Sequence, residues 1–201
     1  GTNLNYGPYK DSNLALLWKK VLETKKIVFQ DFQSYMPSGG EMASFIGAPI
    51  LEEKTDKILA VVALRISKDQ LNTIMEERTG MGETGLTFLV GRDINDRMFL
   101  RNDVKIKTGY VCGAPLKSVC INEALKTQTE GKGTYWDEDG KRVMTTYSPV
   151  NIKSIDWFIV SQIDRDEACQ AVSLLKLMIL GTASLGTVFI VIVALLVSLE
   201  I

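Results

Sequence analysis

Histidine is absent from this chain of 201 residues, and cysteine is scarce, with three residues. Without histidine the chain cannot form Ser-His-Asp or Cys-His catalysis, a histidine-ligated zinc site or an imidazole general base. These absences count against an enzyme, and we expect neither a metal nor a cofactor. The cysteines are odd in number and include no CxxC pair, so they predict no disulfide framework. One bridge between Cys112 and Cys120 remains an open alternative.

An excess of charge of one sign is missing as well. The chain has 23 lysine and arginine residues against 24 aspartate and glutamate residues, and its net charge is −1. No basic patch stands out, so we expect no nucleic-acid partner. The sequence does not begin with methionine and has no early apolar run of the kind found in signal peptides. We therefore expect an export signal or a helix upstream of residue 1.

Charged residues are also missing from the stretch Leu177 to Leu199. About 23 residues at a rise of 1.5 Å give roughly 34 Å of helix, enough for a hydrocarbon core of about 30 Å. Lys176 and Glu200 flank the stretch where the chain would return to water. The sequence predicts a transmembrane helix over residues 177–199. A buried core helix is the alternative, and the length and uniform apolarity disfavour it.

The amino-terminal part predicts one helix followed by three strands. Ser12 is a suitable N-cap, and apolar residues recur after it at helical spacing. Three runs with strand character follow at residues 27–33, 42–50 and 57–66. The connections between them are too short for helical crossovers, so the strands are predicted to be antiparallel neighbours.

The remaining residues repeat this order. Ser67 and Gln70 predict a capping box for a second helix that Gly80 ends. Asp164 and Glu167 predict the start of a helix that runs without interruption into the apolar span. The elements between them are a strand at 86–90, a helix near 116–126, and strands at 133–137, 141–150 and 157–163. The pattern predicts an α+β fold of two modules in series with antiparallel sheets, the first module incomplete.

Residues 80–85 match the GxGxxG pattern. A dinucleotide site needs a strand before this pattern and a helix after it, so that the pyrophosphate meets a helix N-terminus. Here the predicted order is reversed, with a helix before and a strand after. The glycines are therefore interpreted as residues that let the chain turn between the two modules.

Asp31 lies inside a predicted strand and is followed by the aromatic residues Phe32 and Tyr35. Because an unpaired buried charge is costly, this carboxylate either pairs with a cation or faces a pocket. Arg65 on a neighbouring strand is the expected partner in the first case. In the second case Asp31 is a ligand-binding residue, and three aromatic residues are candidates for the same cavity: Trp18, Phe45 and Tyr9.

Several stretches resemble double-Cache sensor domains, the extracytoplasmic input domains of methyl-accepting chemotaxis proteins and related bacterial receptors. They are residues 1–4, 7–12, 31–35, 37–41, 45–50, 74–85, 88–91, 147–150 and 157–164. The resemblance implies two PAS-like modules, membrane-distal and then membrane-proximal, followed by a second transmembrane helix. It also implies a ligand in the distal module, which makes Asp31, Tyr35 and Phe45 pocket candidates. The run Arg92 to Arg101 departs from the family's usual Asp-Gly turn.

The resemblance implies a division of the chain into five parts. Residues 1–66 form the back of the distal module, 67–83 a connection, 84–164 the proximal module, 165–176 a juxtamembrane helix and 177–199 the membrane span. The predicted function is ligand sensing by a bacterial transmembrane chemoreceptor in the inner membrane, with its soluble part periplasmic or extracellular. The expected partners are a small molecule (an amino acid, carboxylate or amine), the membrane and a second copy in a homodimer. The alternatives are the input domain of a sensor kinase or nucleotide cyclase, a membrane-anchored enzyme and an adhesion module.

Overall fold

The computed structural model describes residues 3–93, 97–152 and 155–199. Residues 1–2 of the family-like stretch, residues 94–96 of the departing run and the flanking Glu200 lie outside the described residues. The first sheet is built from β1 (Val28–Tyr35), β2 (Glu41–Leu51) and β3 (Ile58–Ser67), which pair in the order β1-β2-β3. All of its pairings are antiparallel, as predicted.

Helix α1 (Asn13–Thr24) packs on one face of this sheet. The Ser12 hydroxyl accepts a hydrogen bond from the Ala15 amide, and Lys25 ends the helix with a φ of 53°. The fully buried Leu17 approaches β2 at Gly47, where a Cβ atom would stand 2.7 Å from the leucine Cδ2. Glycine at this position therefore lets the helix approach the sheet closely.

The second sheet has five strands in the order β5-β4-β8-β7-β6, and all its pairings are antiparallel. Helix α2 (Lys68–Met75) joins the two sheets, and α3 (Val119–Thr127) precedes β6. The strands are β4 (Leu86–Arg92), β5 (Met98–Leu100), β6 (Gly131–Trp136), β7 (Arg142–Pro149) and β8 (Trp157–Asp164). The predicted α+β class with antiparallel sheets is confirmed.

The structure differs from the prediction in local details around α2 and β5. Helix α2 ends at Met75 and not at Gly80, and the Ser67 hydroxyl accepts from the Asp69 amide, which replaces the predicted capping box with Gln70. The short strand β5 was not predicted, because its three residues follow a polar run and carry little periodicity.

Apolar side chains form three clusters. One lies inside the second module and contains Cys120, and one lies between α1 and the first sheet. The third joins the two sheets and contains Phe29, Phe32, Trp157 and Cys112. The two cysteines thus belong to different clusters, and both are free thiols, so the open alternative of a bridge is not realised. Burial raises the pKa of the Cys112 thiol to about 12, which keeps it protonated at neutral pH.

The chain leaves β8 through a one-turn helix α4 (Arg165–Ala168) and continues as α5 (Gln170–Leu199). The predicted uninterrupted helix is wrong in this detail, because Cys169 departs from helical geometry with φ −95° and ψ 2°. Residues 172–190 of α5 are long and apolar enough to cross a membrane, and none of that stretch is buried. Phe189 is 67% exposed, which distinguishes α5 from the core helix of a soluble domain.

A polar cluster attaches α2 to the second module. The Asp103 carboxylate accepts hydrogen bonds from Lys68 Nζ and Asn72 Nδ2, both at 3.0 Å, and from the Cys112 amide at 2.8 Å. Burial opposes ionisation of Asp103, but these donors outweigh it and hold the pKa of the carboxyl below its ordinary value. The bond to Asp103 likewise raises the pKa of Lys68.

We expect Asp103→Asn to lower the free energy of unfolding at pH 7 by about 1–3 kcal/mol, because the bond to the Lys68 ammonium loses its charge. The folded-state pKa is depressed, so this stabilisation is present above the unfolded pKa of about 3.9 and disappears as pH falls through the folded pKa. Denaturant titrations of the chain in detergent at pH 7 and pH 3 measure the difference. Exposed Glu53→Gln is the control. If Asp103→Asn lowered the free energy of unfolding as much at pH 3 as at pH 7, the ionised Asp103 carboxylate would not be the source of the stabilisation.

A charged cleft between the two sheets

A β-bulge in β1 places Phe32 beside Asp31 on the face of the strand that meets the second module. Gln30 pairs with Phe45 and Gln33 with Ala43, so two residues, Asp31 and Phe32, stand opposite one residue of β2. Such a bulge breaks the regular alternation of side chains and places both residues on one side of the strand. Asp31 and Phe32 accordingly contact the second module, together with Phe29.

The Asp31 carboxylate is hydrogen-bonded across the module boundary through both of its oxygens. Oδ2 accepts from Arg101 Nε at 3.0 Å and from an Arg101 terminal nitrogen at 2.6 Å. Oδ1 accepts from the indole nitrogen of Trp157 at 3.1 Å and from the Phe32 amide at 2.7 Å. This group of three residues, called here the Asp31 clamp, joins the first sheet to the second through Asp31, Arg101 and Trp157.

The clamp depends on a glycine in β4. A Cβ atom at Gly91 would stand 2.5 Å from Arg101 Nε and 2.6 Å from Trp157 Cδ1, so no other residue fits without displacing them. The Arg101 side chain is 5% exposed and donates a further hydrogen bond to the Phe99 carbonyl at 3.2 Å. A cation this deeply buried needs its anionic partner, which makes Asp31 a structural requirement of the second module.

Aromatic side chains surround the tryptophan of the clamp. The Phe29 ring meets Trp157 edge-on with centroids 5.5 Å apart, and the Phe32 ring stacks on it at 6.0 Å. Both phenylalanines belong to β1, and Trp157 is the first residue of β8. The first sheet therefore holds the start of β8 by apolar contact as well as by the Asp31 clamp.

Beside the clamp lies an open cleft of about 400 Å³. Its walls carry polar side chains of both charge signs from both modules. They are Gln30, Asp31, Gln33, Arg92, Asp93 and Arg101. Asp31 is 29% exposed and reaches the cleft while it is paired with Arg101. Walls of this kind can bind a small molecule through an amine, a carboxylate or both.

The structure divides the predicted site residues between the two faces of the first sheet. Tyr35 and Phe45 lie on the α1 face, with ring centroids 5.0 Å apart in an edge-on contact. Trp18 on α1 and Tyr9 just before it are half-buried. Asp31 lies on the opposite face, so it does not share a cavity with the Tyr35–Phe45 pair.

The expected pairing of Asp31 with Arg65 is wrong. Arg65 stands opposite Phe45 in the sheet register and so belongs to the α1 face. It donates to Glu41 at 3.1 Å and to the Ser38 hydroxyl at 2.9 Å. The sheet itself therefore separates Arg65 from Asp31.

Sequence reasoning missed Arg101 and Trp157, since Arg101 is 70 residues from Asp31 and Trp157 is 126 residues away. It also missed Asn13, which is 1% exposed on the α1 face. The Asn13 Nδ2 donates to the Ala43 carbonyl at 2.6 Å, whereas its Oδ1 has no hydrogen-bond partner among the described residues. A buried asparagine near a helix start reads in the sequence as an ordinary capping residue.

Two antiparallel α+β modules in series, joined by the Asp31 clamp, lead into an exposed apolar helix that is long enough to cross a membrane. The family model described as Cache domain matches residues 4–172. This match covers most of the chain, which therefore belongs to the Cache-domain family. A comparison with curated proteins gave no match.

Solved structures share this fold. The extracellular domain described as that of a histidine kinase, mmHK1S-Z3, superposes with a TM-score of 0.60 at 16% identity, covering 78% of this chain and 56% of that one. The ligand-binding domain of the Pseudomonas fluorescens chemoreceptor CtaA in complex with L-isoleucine superposes with a TM-score of 0.53 at 15% identity, covering 85% of this chain and 64% of that one. The ligand-binding domain of the Pseudomonas aeruginosa amino acid chemoreceptor PctB in complex with L-Arg superposes with a TM-score of 0.55 at 16% identity, covering 89% of this chain and 64% of that one. The chain thus spans less than two thirds of these solved domains.

A double-mutant cycle with Asp31→Asn and Arg101→Gln measures the clamp. We expect a coupling energy of about 1–3 kcal/mol, because each single variant leaves a poorly hydrated group without its charged partner. Denaturant unfolding of the four proteins in detergent provides the free energies.

The matched control is the cycle of Glu41→Gln and Arg65→Gln. In that pair the side chains are 66% and 39% exposed, and surface pairs are worth about 0–1 kcal/mol. Equal coupling in the two cycles would show that the Asp31 clamp is no stronger than a surface ion pair.

Proposed function

We propose that this chain is the extracytoplasmic ligand-sensing region of a bacterial transmembrane chemoreceptor and not an enzyme. The observation that carries the proposal is the position of β8. This strand begins at Trp157 in the Asp31 clamp and ends at Asp164, directly before α4 and α5. Its eight residues extend over roughly 25 Å. A change at the boundary between the sheets thus has a rigid, hydrogen-bonded path toward the membrane helix.

The ligand that we propose is an amino acid, a carboxylate or an amine in the cleft beside Asp31. An amine can bind the Asp31 carboxylate in place of Arg101, and a ligand carboxylate can then bind the released guanidinium. In this exchange the ligand amine pairs with Asp31 and the ligand carboxylate pairs with Arg101, so no buried charge is left unpaired. CtaA and PctB, crystallised with L-isoleucine and L-Arg, support this chemical class.

Ligand binding acts in this proposal by favouring one of two arrangements of the modules. A ligand shifts such an equilibrium only as far as it binds one state better than the other. The Asp31 clamp provides the difference, because the clamp is closed in one state and exchanged for ligand contacts in the other. Either Trp157 moves together with Asp31, or the hydrogen bond between them breaks. In both cases the start of β8 shifts, and the strand transmits this displacement toward α5.

A second location for the ligand has one specific observation in its favour. The unpartnered Asn13 Oδ1 lies on the same face of the first sheet as Tyr35 and Phe45, with Trp18 on the same helix and Tyr9 just before it. A buried carbonyl oxygen of this kind accepts a hydrogen bond from a ligand amine or hydroxyl at little cost. The residues Tyr9, Trp18, Tyr35 and Phe45 remain predicted ligand contacts on this face.

The proposal also includes the division of the chain into modules, its location, its oligomeric state and its output. The division at residues 66, 83, 164 and 176 assigns one sheet to each module and α5 to the inner membrane, with the modules in the periplasm or outside the cell. We propose a homodimer, as is usual for receptors whose long helices carry the signal. The input domain of a histidine kinase is the main alternative output, in line with mmHK1S-Z3. A nucleotide cyclase, a membrane-anchored enzyme and an adhesion module have less support.

A thermal-shift screen of amino acids, carboxylates and amines on the chain in lipid nanodiscs tests the proposal. A ligand at 100 times its dissociation constant stabilises the folded state by about 2.7 kcal/mol. For a chain of this size we expect the melting midpoint to rise by about 5–10 °C. Each variant is compared with and without ligand, so that its own stability cancels.

We expect Asp31→Asn to abolish the shift and exposed Asp166→Asn to leave it intact. A shift lost in Phe45→Ala but kept in Asp31→Asn would move the site to the α1 face. If none of the compounds stabilised the chain, small-molecule sensing by this region would be refuted.

A further inference from the structure

The turn between α2 and β4 contains the GxGxxG residues, which the proposed ligand site does not use. Gly80 and Gly82 have φ values of +80° and +71°, and the turn presents two successive amides in one direction. The Glu83 amide donates to Glu167 Oε1 at 2.6 Å, and the Thr84 amide donates to Oε2 at 2.9 Å. The Thr84 hydroxyl donates to Oε2 as well. Consecutive amides of this kind form an anion-binding concavity, and here the anion is a carboxylate of the same chain.

The turn is shaped around this carboxylate. A Cβ atom at Gly82 would stand 2.1 Å from Glu167 Oε1, so a side chain there would fill the space that the carboxylate occupies. Arg78 supports the turn by donating to the carbonyls of Gly85 at 2.9 Å, Gly82 at 3.3 Å and Glu83. With the carbonyls held by Arg78, the amides of Glu83 and Thr84 face Glu167.

Glu167 lies where the second sheet passes into the membrane helix. It belongs to the single turn α4, and only Cys169 separates that turn from α5. The Thr84 hydroxyl also accepts a hydrogen bond from the Asp164 amide at 3.0 Å. One threonine of the turn therefore holds both the last residue of β8 and the carboxylate of α4.

We propose that residues 78–85 form a latch that fixes α4 and the start of α5 to the second module by binding the Glu167 carboxylate. While Glu167 is bound, the start of α5 moves together with residues 78–85, which lie between the two sheets in the chain. Release of Glu167 frees α4, and the non-helical Cys169 then allows α5 to change direction. The latch is a conformational device in a receptor, so its role in signalling rests on the proposed sensing function, although its existence does not.

Hydrogen–deuterium exchange of the 201-residue chain in lipid nanodiscs, without ligand, tests the latch. In Glu167→Gln we expect the amides of Glu83 and Thr84 to exchange at least about tenfold faster, because glutamine offers one acceptor oxygen in place of two and carries no charge. The amides of residues 169–173 should exchange faster as well. Asp166→Asn removes the same charge from the same turn of helix and should change neither region.

A second pair of variants separates release of the latch from general unfolding. Thr84→Val removes the hydroxyl and should accelerate exchange at Asp164 and residues 169–173, whereas Thr84→Ser keeps the hydroxyl and should not. Exchange in β1 and β2 should stay at the wild-type rate in all four variants. Unchanged exchange in Glu167→Gln, or equal acceleration in Asp166→Asn, would overturn the latch. Because no ligand is present, failure here leaves the sensing proposal intact, and a failed ligand screen leaves the latch intact.

Discussion

The ion pair between Asp31 and Arg101 is the interaction on which the relation of the two modules depends. Arg101 is almost completely buried, and the available compensation for its charge comes from the other sheet. Removing either partner leaves a charge in a poorly hydrated position, which is far more costly than losing a surface pair. The aromatic contacts of Trp157 add apolar area to the same boundary. The two sheets are therefore joined by a contact that is strong when complete and unfavourable when broken.

Such a contact suits the proposed receptor function, in which ligand contacts replace it. A partly satisfied polar network is less stable than a complete one, so the loss of a single partner of the clamp is costly. At the other end of β8, the turn 78–85 holds Glu167 by the same principle, with backbone amides in place of a guanidinium. Between these two points β8 is hydrogen-bonded to β4 and β7 along its length.

Much of the fold was predictable because it rests on local patterns. The strands β1, β2 and β3 follow apolar periodicity, and their short connections leave antiparallel pairing as the natural arrangement. Of the site, Asp31 was predicted to need a partner, but Arg65 was the wrong one. The bulge at Asp31 and Phe32 puts Tyr35 on the opposite face of the sheet from Asp31, and a one-residue irregularity of this kind leaves no periodic signal. The break at Cys169 was missed for a similar reason, since cysteine is compatible with a helix.

From the sequence alone, the absence of histidine counted against histidine-dependent catalysis, and the uncharged stretch before Glu200 predicted a membrane helix. These conclusions depend on composition and length, which need no knowledge of contacts. Only the tertiary structure decided that Asp31 pairs with Arg101 and that the GxGxxG turn binds Glu167. Those partners are 70 and 84 residues apart, and their meeting depends on how the two sheets and α4 pack. Asp31 and the GxGxxG residues could be singled out from the sequence, whereas their partners are determined by the fold.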